Sequence, residues 1–147
     1  MRLDFLSQQE KIKNFVQENY KKVLSELSLG DVNDYIDDYL DFDKYTKSKQ
    51  LFFGFGKYKF NSLSNESNEE EFEFKIYIAF RNGKAKDLKS LMLKYTAAFY
   101  EMFERSGGNF SGVSDFGTIE DVSFYNAIEG NINIKLSEIT VILKTER

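Results

Sequence analysis

The chain contains no cysteine and no histidine. The first absence excludes disulfides, thiolate metal sites and thiol nucleophiles together. The second removes the commonest general base and the commonest transition-metal ligand. Long apolar runs are missing as well. No stretch approaches the roughly 18 apolar residues of a membrane span. The start, Met1-Arg2-Leu3-Asp4-Phe5-Leu6, turns polar before it reaches the run of about 7–15 apolar residues that a signal peptide needs. A cytoplasm is therefore the expected compartment. Tryptophan and proline are absent too, and arginine is confined to Arg2, Arg81, Arg105 and Arg147.

Aromatic rings are plentiful: fifteen Phe and nine Tyr make 16% of the 147 residues. A chain of this length is expected to form one domain, residues 1–147, and to bury about 70% of the surface its unfolded form exposes. The net charge of −4 and pI near 5.0 argue against a cation-lined nucleic-acid groove.

Apolar residues at helical spacing (Ile12, Phe15, Val16, Tyr20, Val23, Leu24, Leu27) predict a first helix over 7–27. Ser7-Gln8-Gln9-Glu10 reads as its capping box and Gly30 as its stop. Within 31–43, Val32, Tyr35, Ile36, Tyr39 and Leu40 predict a short helical turn that runs out near Leu40, the alternative being a strand that begins over Tyr39 to Asp43. A strand follows over 51–63, with Gly54 and Gly56 marking a bulge or close backbone approach. After a polar connection over 61–71, expected to be mobile, Phe72 to Phe80 alternates with a clean period of two. Arg81-Asn82-Gly83 is a turn, and a second long helix is predicted over 85–105. Its expected buried stripe includes Leu91 and Phe99, and Gly107-Gly108 ends it. Residues 118–126 and 132–143 read as a final hairpin turned at Glu129-Gly130-Asn131. The apolar set slips from Ile132/Ile134/Leu136 to Ile139/Val141/Leu143, which predicts a bulge near Ser137-Glu138.

The order helix, hairpin, helix, hairpin implies an α+β domain of two layers: a mainly antiparallel sheet of two hairpins packed against two long helices.

No motif in the chain carries chemistry. The aspartates Asp31, Asp34, Asp37, Asp38, Asp41 and Asp43 suggest calcium, but an EF-hand loop needs glycine at its sixth position. Ile36 or Thr46 stands there instead. Gly54-Phe55-Gly56 lies within a strand and not between strand and helix, so it is no dinucleotide fingerprint. Glu69, Glu70 and Glu71 sit in a polar run where nothing raises a carboxyl pKa. No catalytic residue, cofactor or metal site is expected, and no enzymatic activity.

The aromatics remain. Phe52 and Phe53 are adjacent, so in a strand they point to opposite faces. Phe124/Tyr125 and Phe99/Tyr100 pose the same problem, and a surplus of this kind suggests an interface. Phe52, Phe53, Tyr58 and Glu69 to Glu71 are its expected members.

In layout and length, across nearly the whole chain, this order of elements resembles the tail terminator proteins of long-tailed phages, a family with no short diagnostic motif. The resemblance implies a structural protein, a ring of identical copies, as a rule a hexamer, that terminates the tail tube and meets the head connector. Its partners would be itself, the tail-tube protein and the connector protein. It would be made in the host cytoplasm and end in the virion tail, with DNA passing through its lumen and no sequence-specific DNA contact. The competing expectation is an acidic binding module, an inhibitor or immunity-type protein that masks a basic partner with its aspartate run.

Overall fold

The computed structural model describes residues 4–62, 68–110 and 112–146. The expected α+β fold is present, with two helices and a five-stranded mixed sheet among the described residues. The elements are α1 (Phe5–Glu26), β1 (Asp34–Ile36), β2 (Lys49–Ser62), β3 (Asn68–Phe80), α2 (Ala85–Arg105), β4 (Phe116–Tyr125) and β5 (Lys135–Glu146). Strand order is β1-β2-β3-β5-β4. The two hairpins, β2-β3 and β4-β5, join through antiparallel pairing of β3 with β5, and β1 adds a short parallel strand beside β2.

α1 begins one turn earlier than its capping-box pattern predicts. Asp4 takes the cap instead of Ser7, its Oδ1 accepting the Ser7 backbone N–H at 3.0 Å. At the other end Ser28 enters the left-handed region (φ 59°), so the helix stops before Gly30. α2 has the predicted bounds, and Gly107 and Gly108 supply the positive φ that ends it.

Both helices cover the same face of the sheet. Tyr20 and Phe99 meet edge to face with ring centroids 5.6 Å apart, and the buried Tyr20 hydroxyl donates to the Tyr95 carbonyl at 2.6 Å. Beneath them lie Phe53, Phe74, Ile76, Ile78, Ile139 and Val141, all buried. Phe99 is fully buried as expected, whereas Leu91 is only half-buried and Leu88 and Met92 take the inner positions.

The opposite face carries a second, smaller cluster: Ile36, Phe52, Ala79 and Leu136, covered by Leu40, Phe42 and Tyr45 from segment 37–48. Arg81 clasps that segment by donating to the Phe42 carbonyl at 2.6 Å and the Tyr45 carbonyl at 3.3 Å.

This second face accounts for two departures from expectation. Segment 31–43 forms no helix. Asn33 exchanges bonds with Lys49 (N–H to carbonyl 2.7 Å, Oδ1 from N–H 2.9 Å), and the chain then continues as a strand that buries Tyr35 against one cluster and Ile36 in the other. Nor is there a bulge at Ser137-Glu138, because β5 pairs with β3 in unbroken register. Ile132 and Ile134 precede the strand, and Leu136 points into the second cluster while Ile139, Val141 and Leu143 face the helices. Simple alternation explains the apparent slip. The register shifts fall elsewhere: at Gly56, as its glycine suggested, and at Glu120. Residues 61–62 and 68–71, expected in a mobile connection, belong to the hairpin strands; residues 63–67 lie outside the described residues.

Candidate functional site

Edges decide what this sheet offers a partner. Among the described residues β4 pairs with β5 alone, and β1 reaches only Gln50, Leu51 and Phe52 of β2. Among the described residues, no strand therefore lies along the outer edge of β4 or along that of β2 from Phe53 to Asn61, where alternate backbone N–H and C=O groups face outward. Exposed rings line these edges: Phe60 (58% exposed) on β2, and Phe116 (50%), Phe124 (43%) and Tyr125 (41%) on β4.

These are not the residues that the sequence nominated. Phe52 and Phe53 do point to opposite faces, but both are buried: Phe52 in the small cluster, Phe53 stacked on Phe55 at 5.6 Å in the main core. Neither is available to another chain. Tyr58 is half-buried, stacked flat on Phe72 with centroids 4.1 Å apart and capped by Phe5 at 4.3 Å. Burial pushes its phenol pKa up. Glu69, Glu70 and Glu71 lie at the start of β3, paired on one side with Asn61, Phe60 and Lys59 and on the other with Glu146, Thr145 and Lys144. The register puts Glu71 between two lysines, which offsets its charge on the open face.

The aspartates are largely occupied. Asp31 Oδ1 accepts from the Val32 N–H at 2.8 Å and the Tyr35 hydroxyl at 2.7 Å. Asp34 binds Lys47 (3.3 Å) and Gln50 (3.2 Å), and Asp37 pairs with Lys13 at 2.9 Å. Asp38 receives the Tyr45 hydroxyl at 2.6 Å and Lys44 at 3.3 Å; the tyrosine bond, first among the causes, lowers its pKa. Asp41 Oδ1 takes the Asp43 and Lys44 backbone N–H groups. Among the described residues Asp43 alone of the six has a carboxylate without such a partner. The run serves to fold segment 31–48: Asp31, Asp34, Asp38 and Asp41 satisfy donors within residues 31–50, and Asp37 ties the segment to Lys13 of α1.

Between the helices a shallow cavity of about 270 Å³ is lined by Phe15, Asn19, Met102 and Arg105, among others. Its ions are ordinary surface pairs: Glu26, then Glu101, raises the Arg105 pKa. Among the described residues no three carboxylates converge as a metal site would require. Among the described residues no helix is long and apolar enough to cross a membrane. The chain matches no protein-family model, and no curated protein aligns with it.

Two of the adjacent pairs that the sequence singled out do leave rings exposed: Phe124 and Tyr125 on β4, and Tyr100 beside buried Phe99 on α2. Phe116 and Phe60 gave no such signal: only pairing order reveals that their strands stand at the edges.

Proposed function

We propose that the protein is a structural subunit of a phage or phage-like tail. Copies form a ring that terminates the tail tube and joins it to the head connector, after synthesis in the host cytoplasm. The observation that carries this reading is the sheet with helices on one face only and aromatic-lined open edges on both sides. Edges of this kind are a liability for a monomer. In a head-to-tail ring each is covered by a neighbour, and closure leaves none exposed. The resemblance in layout to tail terminators supports the same assignment, and a scaffold of this kind requires no reacting group. The acidic end of β3 at Glu69, Glu70 and Glu71 suits a lumen, where negative charge lets DNA slide and cationic charge would capture it. The masking-protein reading loses support because five of the six aspartates bind within the chain.

Sedimentation over a wide concentration range, alone and with tail-tube and connector proteins, tests the assignment. Wild type is expected to associate and Phe124→Asp to lose most of that association. Phe53→Asp is unsuitable, since it places a charge in the core. A wild type that stays monomeric at the highest concentration and binds neither protein overturns the proposal.

A further inference from the structure

We propose that protomers join by sheet continuation: β4 of one copy lies antiparallel along the outer half of β2, residues 53–62, of a second copy. This rests on the ring reading and specifies its joint.

Strand direction comes first. β2 is antiparallel to β3, β3 to β5, and β5 to β4. Three reversals make β2 and β4 run oppositely, so a neighbour in the same orientation presents its β2 antiparallel to β4. No strand has to flip. Length agrees too. β4 has ten residues, and β2 from Phe53 to Ser62 has the same number beyond its pairing with β1.

Charge then selects the partner. β4 carries Glu120 and Asp121, follows directly on Asp115, and contains no lysine or arginine. The outer half of β2 carries Lys57 and Lys59 and no acid. A β4–β4 or β2–β2 joint would set like charges face to face, which is destabilising across strands. The mixed joint sets opposite charges together, with Lys59 and Asp121 both on the face away from the helices. Phe60 on one strand and Phe124 and Tyr125 on the other supply exposed apolar area. A joint between unlike edges is heterologous, the kind that generates a ring when its rotation closes.

Lysines and bulges on edge strands also serve to prevent pairing, and the experiment separates that role from a joint. Two variants are made, Lys57→Glu/Lys59→Glu and Glu120→Lys/Asp121→Lys, each checked for native circular dichroism. Each alone is expected to weaken self-association by about tenfold or more. An equimolar mixture is expected to restore it, because every junction in an alternating assembly is again between opposite charges. The chain has no cysteine, so Lys59→Cys/Asp121→Cys gives an independent readout: oxidation yields a ladder of disulfide-linked multimers. If wild type associates while the reversed variants associate equally well and no ladder forms, the edge joint is wrong and the ring reading stands. If wild type is monomeric throughout, the ring reading falls and takes the joint with it.

Discussion

Phe52→Ala tests the two-faced sheet most directly. Phe52 is fully buried on the face away from the helices, with Tyr45 5.6 Å and Phe42 6.4 Å from its ring, both edge to face. Truncating a buried Phe costs about 3–5 kcal/mol, more where the surroundings cannot collapse. Here the cover is segment 37–48, an irregular strap and not a helix, so partial collapse places the cost near the lower end, about 3 kcal/mol. Lost aromatic pairing, about 0.5–1.5 kcal/mol per pair, is contained in that figure. For a domain near 150 residues the melting temperature should fall by about 6–12 °C. Urea unfolding at a concentration too low for assembly gives the free energy. Hydrogen exchange locates the damage, which should include the Tyr45 N–H bonded to the Asp41 carbonyl and the Arg81 N–H bonded to the Ser48 carbonyl. A loss below about 1 kcal/mol, or a loss of association with stability intact, would return Phe52 to the surface and refute the account of the second cluster.

Two further outcomes are expected. A Cβ at Gly56 would stand 2.5 Å from the Glu73 carbonyl oxygen, so Gly56→Ala should destabilise by about 1–3 kcal/mol, as overpacking does; a neutral result in urea unfolding would show that the bulge relaxes freely. Burial is the largest cause raising the phenol pKa values of Tyr20 and Tyr35, with Asp31 adding to both. A raised folded value means that their stabilising contribution is complete below the ordinary pKa of about 10 and is lost as pH climbs through the folded value. Ultraviolet titration should therefore show these two ionising only as the protein unfolds in strong alkali; ionisation of all nine tyrosines in one step near pH 10, with native circular dichroism retained, would contradict their placement.

What the sequence determined by itself is local. The bounds of α2, the alternation of β3, the glycine-marked bulge in β2 and the turns at Asn82 and at Glu129-Gly130, where φ is positive, follow from periodicity and turn chemistry. The tertiary structure decided everything that depends on pairing between distant segments. Helical spacing in 31–43 lost to backbone bonds with β2, since a short helix is marginal unless packing sustains it. Adjacent Phe52 and Phe53 could both be buried only because a second cluster exists on the far face. The interface candidates moved from β2's inner rings to the edges for the same reason. An edge is a property of strand order, and strand order here came from the pairing of β3 with β5, which lie far apart in the chain and leave β4 outermost.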